Sequence, residues 1–310
     1  MKVAVIVNPV SGRRGGHAGE GDARLALARR MLAAHGVDAE VTVTRAPGHG
    51  AELAAAFLAD GVDRLVAWGG DGTINEVAGP MIGSSAALGI VPSGSGDGLA
   101  LGLGLPIDPG RALEVALSGR ARPMDVGFLG SRHFLNVAGI GFDAVVAVAF
   151  NRAGKRGALN YVRHSLSLVW GYRSPAYEIE LDGQVLSGRR FLIAFANARE
   201  YGSRLVLDQD ADPFDGWLNA VLVDAGSPAM QIWRARRLAI GTDRPAAGIF
   251  RTRIRHARIT SEDLACHADG ETFSLSGAVD VRVKAQALHV VCDEKSRTSA
   301  GTSRSNSRGS

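Results

Sequence analysis

The chain of 310 residues exceeds the usual size of one domain and has enough material to bury a core in each of two. Its 46% apolar and 21% charged residues, with 40 glycines, describe a globular α/β protein rich in tight turns and exclude a fibrous or wholly disordered chain. A net charge of +4, from 35 basic and 31 acidic residues, is too small to argue for nucleic acid, and no nucleic-acid partner is expected.

Val3–Val7 is a continuous apolar run bounded by Asn8-Pro9, the pattern of a parallel strand buried on both faces. It is much shorter than the core of a signal peptide. The loop that follows, Asn8-Pro9-Val10-Ser11-Gly12-Arg13-Arg14-Gly15-Gly16, stands at the carboxyl end of that strand, where open α/β sheets bind ligands. Its composition suits a phosphate contact as well as a flexible basic loop. A helix is expected from about Ala18 to His35, a second strand over Ala39–Thr44 with Thr44 at its carboxyl end, and an Ala-rich helix over His49–Ala59.

The stretch Val66-Ala67-Trp68-Gly69-Gly70-Asp71-Gly72-Thr73-Ile74-Asn75-Glu76-Val77 begins as a buried strand, breaks into Gly-Gly-Asp-Gly and resumes as a helix. Glycines let backbone N–H groups approach an anion, and the helix brings its unsatisfied N–H groups and positive dipole end to the same point. Asp71 among them can hold Mg²⁺ or accept a proton. Taken alone, such a turn is equally a tight strand-to-helix connection. A fourth strand, Ala87–Val91, leads into another Gly/Ser loop, Pro92-Ser93-Gly94-Ser95-Gly96-Asp97-Gly98-Leu99-Ala100, and three such loops on neighbouring strands would converge on one crevice. A further helix opens at Asp108-Pro109 and ends at Ser118-Gly119.

After Pro123 the texture changes to strands and turns. Met124–Leu129 and His133–Ala138 read as a hairpin. Apolar helical stretches over about Ala144–Phe150 and Ala158–Trp170 flank a basic loop with Arg152, Lys155 and Arg156, and further strands are expected at Tyr177–Leu181, Phe191–Ala196, Leu218–Val223, Thr252–Thr260 and Val279–Val291. The fold class is therefore α/β: an N-terminal Rossmann-like open parallel sheet, residues 1–123, followed by a β-rich, sandwich-like C-terminal domain, residues 124–294. Residues 295–310 read as a disordered tail. Two cysteines, Cys266 and Cys292, give no disulfide framework and fit a reducing cytosol, and no apolar run approaches a membrane span.

Seven motifs together resemble the diacylglycerol kinase catalytic family, in particular its soluble bacterial lipid kinases, related to sphingosine and ceramide kinases. They are Asn8-Pro9-x-Ser11-Gly12, Gly69-Gly70-Asp71-Gly72-Thr73-x-Asn75-Glu76-Val77, the Pro92–Ala100 loop, Asp125-Val126-Gly127, Asn136-x-Ala138-Gly139-x-Gly141-Phe142-Asp143, Asp212–Gly216 and Asp269-Gly270-Glu271. The resemblance implies an ATP- and Mg²⁺-dependent kinase acting on a lipid hydroxyl, most readily diacylglycerol, with a sphingoid base or other lipid alcohol as the alternative. It also implies nucleotide contacts from Asn8, Pro9, Val10, Ser11, Gly12, Thr44, Gly70, Asp71, Gly72, Thr73, Ile74, Asn75, Glu76 and Ser95. By the same resemblance Asp269 and Glu271 belong to the proton-accepting motif, Asp71 and Asp125 to the Mg²⁺-water network, and Asp212, Asp215 and the Trp217 carbonyl to a second, structural metal site. A polar turn remains the alternative for the last, and a hairpin turn for Asp269-Gly270.

Gly98 and Leu101 depart from the family's usual acidic residue and arginine, with Asp97 one position away, so the lipid stays open. A metabolite kinase acting on NAD and a non-catalytic nucleotide- or lipid-binding protein are the rival readings. Met230-Gln231-Ile232-Trp233-Arg234-Ala235-Arg236-Arg237-Leu238 is a candidate for peripheral contact with an anionic membrane, three arginines being worth roughly 3 kcal/mol there. The expected setting is the cytoplasm with transient visits to the inner membrane surface, and a homodimer is left open.

Overall fold

The computed structural model describes residues 1–12, 20–153, 167–202, 205–239 and 246–293. Four parallel strands, β1 (Val3–Val7), β2 (Ala39–Val43), β3 (Arg64–Gly69) and β4 (Ala87–Pro92), lie in the order β4-β3-β1-β2. Both faces of β1 and β3 are buried. Ala4, Ile6, Leu65 and Ala67 pack with α2 (His49–Ala59) and α3 (Asp71–Met81), while Val3, Val5, Val7, Val66 and Trp68 pack with α1 (Glu20–Ala34) and α5 (Pro109–Ser118). That is why these strands read as unbroken apolar runs. Val43, Val7, Trp68 and Val91 are register partners in turn across the four strands, so the loops after them leave from one edge of the sheet.

The remaining strands are β5 (Arg120–Leu129), β6 (Arg132–Phe134), β7 (Val137–Gly141), β8 (Ala176–Leu181), β9 (Gln184–Ala196), β10 (Glu200–Gly202), β11 (Leu205–Val206), β12 (Leu218–Asp224), β13 (Ile249–Ile254), β14 (His256–Ala268) and β15 (Glu271–Cys292). Three helices, α4 (Gly98–Gly102), α6 (Phe142–Ala153) and α7 (Pro228–Ala239), complete the described elements. β15 pairs in parallel with β4 through His289 and Val290, so one mixed sheet of 13 strands carries both halves of the chain. β9 and β14 each pair with β8 along their first halves or ends and with β7 along their last residues, so the sheet folds over itself. Between the layers lie Ile179, Ile193, Phe195, Leu218, Ile259 and Val281. On the outer face, α6 and α7 cover Val137, Ala194, Val221 and Val223.

Several boundaries differ from the sequence expectation. The hairpin expected over 124–138 stops at Phe134, because the N–H groups of Leu135, Asn136 and Val137 turn to the Asp269 carboxylate instead of a neighbouring strand. The strand expected over 252–260 is two strands, β13 and β14, with a break where the N–H groups of Arg255 and His256 donate to Asp182. The texture change after Pro123 falls inside β5, which pairs with β15. The expected helix over 158–170 lies outside the described residues as far as 166, as do Arg13, Arg14, Gly15, Gly16, Lys155, Arg156 and the tail. Asp182-Gly183 and Asp269-Gly270 are two-residue hairpin turns with positive φ at both positions, which Asp-Gly tolerates.

Candidate active site

The loops after β1, β3 and β4 are tied to one another. Asn8 Nδ2 donates to Thr73 Oγ1 at 2.8 Å, joining the first loop to α3, and Ser11 Oγ meets Ser93 Oγ at 2.7 Å, joining it to the third. A Cβ on Gly94 would stand 2.9 Å from the Gly70 Cα, so these two loops approach as closely as only glycines allow. Gly70 precedes α3, with Asp71, Gly72, Thr73 and Ile74 in its first turns. Ser95 lies half-buried in the third loop, and Thr44 N donates to Val7 O at 2.9 Å, holding the end of β2 beside the first loop. Pro9 and Val10 are on the rim of the same edge, and Gly12 sits at φ 131 against Ser93 O. The nucleotide residues expected from the sequence thus share one side of the sheet.

Glu76 does different work from Asn75. Its carboxylate accepts from Gly48 N at 2.9 Å and Gly50 N at 3.2 Å, fixing the turn between β2 and α2. Asn75 reaches the other half of the chain, donating Nδ2 to Asp269 Oδ2 at 2.8 Å. Asp269 also accepts from Leu135 N, Asn136 N and Val137 N at 2.7 to 3.0 Å. Four donors fill the acceptor positions of that carboxylate. Glu271, just past the turn, has a side chain 56% exposed and an ion pair with Arg132 at 3.6 Å. Arg132 and its neighbour His133, whose Nε2 meets Asn75 O at 3.1 Å, place β6 alongside α3.

Asp71 accepts from Gly98 N at 3.2 Å and Leu99 N at 3.4 Å at the start of α4. Burial first, then the Asp97 carboxylate, push the Asp71 carboxyl up to about 6 against the pull of those two N–H groups, and Asp269 adds a smaller upward push. Asp97 itself is buried, takes φ 48 and accepts from Gly94 N at 2.7 Å. Three carboxylates from two halves of the chain therefore act on one another beside the glycine-lined loops. Of these, Asp71 and Asp97 carry excess negative charge on oxygen donors, the chemistry that a hard divalent cation neutralises.

Asp125 belongs to another grouping. Fully buried, it accepts from Gly216 N at 2.6 Å and Gln286 N at 2.8 Å, and its own N–H donates to Pro213 O. Burial raises its pKa, the Gln286 and Gly216 N–H groups oppose, and Asp212 adds to the rise. The contacts of Asp125 thus run to the 212–216 turn, whereas those of Asp71 run to α4. In that turn Asp212 Oδ1 accepts from Phe214 N, Asp215 Oδ1 accepts from Trp217 N, and the other Asp215 oxygen pairs with Arg253. The Trp217 ring lies under the guanidinium groups of Arg253 and Arg255. Among the described residues no group of three or more His, Cys, Asp or Glu is arranged to hold a metal ion, and the Asp212 and Asp215 carboxylates here accept from N–H groups of their own turn.

Two parts of the site had no sequence signal. Arg24, inside α1, donates to Asn8 O, Ser11 Oγ and Ser11 O at 2.7 to 2.8 Å and so shapes the first loop. His267, beside the Asp269 turn, is 1% exposed and meets Asp143 at 2.7 Å. Gly139 is required beside them, because a Cβ there would lie 2.4 Å from His267 Nε2. Cys266 is buried, with its thiol pushed up to about 12 by burial, and Trp68 packs in the core.

Comparison with known proteins agrees with this arrangement. Residues 2–129 match the model of the diacylglycerol kinase catalytic domain, and residues 136–292 match that of the YegS C-terminal NAD kinase beta sandwich-like domain. A Pseudomonas putida protein named "Probable lipid kinase YegS-like" is 31% identical, over 81% of this chain and 84% of its own. A Mycobacterium tuberculosis protein named diacylglycerol kinase is 28% identical over 94% of both chains. The crystal structure of a diacylglycerol kinase from Bacillus anthracis superposes with a TM-score of 0.75 at 21% identity, covering 95% of this chain and 97% of that one, which shows a shared fold. The chain belongs to the diacylglycerol kinase catalytic-domain family and is a lipid kinase.

Proposed function

We propose that the protein transfers the γ-phosphate of ATP to the hydroxyl of diacylglycerol, giving phosphatidic acid. In this reading residues 1–123, as a Rossmann-like layer, supply the nucleotide loops, and residues 124–294 supply the lipid-facing side. Backbone N–H groups of the Gly70–Thr73 turn and of the Asn8–Gly12 and Ser93–Asp97 loops, with Thr44 and Ser95, cradle the phosphates. Asp71 and Asp97 would hold Mg²⁺, which supplies charge neutralisation on the phosphates when bound. Glu271 takes the proton of the attacking hydroxyl late in the transfer, which an ordinary carboxylate can do once the oxygen is bonding to phosphorus. Asp269 positions, since its four acceptor places are already used. Asp125, with Asp212, Asp215 and Trp217, holds the turn beneath the lipid-facing layer.

The observation that carries the reading is the register that ends β1, β2, β3 and β4 at one level, with the Asp71, Asp97 and Asp269 carboxylates gathered beside that edge. Purified protein given γ-labelled ATP, Mg²⁺ and dispersed diacylglycerol should yield labelled phosphatidic acid. A panel with sphingoid bases, other lipid alcohols and NAD decides the acceptor, and transfer to none of them ends the proposal. The departures at Gly98 and Leu101 in the third loop are the reason for keeping sphingoid bases in that panel. Among the described residues no helix is long and apolar enough to cross a membrane. In this reading the protein meets its lipid by transient contact at the cytoplasmic face of the inner membrane.

A further inference from the structure

We infer that the outer face of α7, with the turn at 169–173 that packs into the same core, docks on an anionic phospholipid surface; the choice of a lipid surface as occupant rests on the function proposed above. A helix packed on a core normally turns its polar residues outward. In α7 the polar Gln231 and Arg234 are 3% and 8% exposed, donating to the carbonyls of Asp224 and Ala247. Met230 and Trp233 are instead 42% and 44% exposed. The outward side of this helix therefore carries the large apolar groups, and Arg236 and Arg237 follow them in its last turn, the Arg237 guanidinium lying 5.5 Å from the Trp233 ring.

A second segment on the same core repeats the pattern. Val169 is buried in the same core as Ile232 and Leu238, while the next residue, Trp170, is 69% exposed and Arg173 is exposed. Two exposed tryptophans and exposed arginines on segments packed into one core, with no acidic residue in α7, match the aromatic and cationic groups that settle at the headgroup level of anionic membranes. The charge is what selects a phospholipid surface over an apolar protein groove.

The test is cosedimentation of the purified full chain with vesicles of phosphatidylglycerol or of phosphatidylcholine, alongside Trp233→Ser and Arg236→Glu. Both sites are exposed, so unchanged circular dichroism and melting temperature are expected. Wild-type protein should bind the anionic vesicles, bind the zwitterionic ones weakly, and lose about tenfold in affinity with either substitution. Equal binding to both vesicles, or unchanged binding by both variants, overturns the inference. A concentration-dependent dimer that Trp233→Ser dissolves would assign the face to a second copy and overturn it too. Phosphorylation of a short-chain, water-dispersed lipid alcohol should stay at the wild-type rate in both variants. Wild-type protein that binds anionic vesicles in this way but phosphorylates no lipid would support the docking face and refute the kinase function separately.

Discussion

Asn75 of α3 donates to the Asp269 carboxylate across 2.8 Å, joining positions 194 residues apart. One side chain of the helix that follows the Gly69-Gly70 turn therefore sets where the Asp269-Gly270-Glu271 turn stands. The same carboxylate gathers three N–H groups from residues 135–137, which follow β6, so the turn is held by both halves of the chain.

This arrangement separates the two acidic residues of that turn. Asp269→Asn removes a charged acceptor from four donors and should lower stability by about 3 kcal/mol, since hydrogen bonds to a charged group are worth roughly 1.5–3 kcal/mol each and only part of them is lost. Glu271→Gln lies at an exposed site and should change stability by under about 0.5 kcal/mol while lowering kcat about 10²–10⁴-fold. Urea denaturation and ATP-to-lipid turnover of both variants check this. The reverse pattern would exchange the two roles.

Arg24 touches the first loop at three acceptors without forming part of it. Arg24→Ala should loosen the Asn8–Ser11 backbone, raising KM for ATP about tenfold, near 1.4 kcal/mol, with kcat little changed. Arg24→Lys, with a single ammonium in place of the fork, should recover only part. Steady-state kinetics at fixed lipid give the split, and an unchanged KM in the Ala variant would remove Arg24 from the site.

Burial first, then the Asp97 carboxylate, push the Asp71 carboxyl up to about 6 in the folded chain, from an ordinary value of 3.8. Between those values the folded chain holds the extra proton. The raised pKa thus favours folding fully below about pH 3.8, and this advantage disappears as pH rises through 6, with a ceiling of about 3 kcal/mol. Asp71→Asn, which does not titrate, should therefore gain stability relative to wild type between pH 4 and pH 7. Chemical denaturation across that range measures the gap, and a gap independent of pH would show that Asp71 titrates normally.

Gly139 faces His267 and Asp143 so closely that an added Cβ would stand 2.4 Å and 2.5 Å from their polar atoms. Gly139→Ala should cost about 1–3 kcal/mol by overpacking. Adding His267→Ala makes room, so the two losses should sum to less than their separate values in a double-mutant cycle. Strict additivity would show that the crowding is absent in solution.

The chain read by itself determined the elements whose cause is local. Apolar runs at Val3–Val7 and Leu65–Ala67 announce strands because both of their faces are covered, and Asp-Gly pairs announce tight hairpins because those residues accept positive φ. Glycine-lined loops after three such strands announce turns that can approach one another closely, as Gly70 and Gly94 do. Helix α1 could be expected from its pattern, yet nothing in that pattern distinguishes Arg24 from a solvated surface arginine.

Tertiary structure alone decided which acidic groups meet. Asp269 and Glu271 are two residues apart and equivalent in the sequence, but donors brought from Asn75 and from residues 135–137 use up one and leave the other exposed. Asp125 is drawn to the 212–216 turn by the β5–β15 pairing and its bulge, and Glu76 is drawn to the start of α2 by helix packing. Hydrogen-bond partners at such separations are fixed by strand register and helix docking, which no short window of residues encodes.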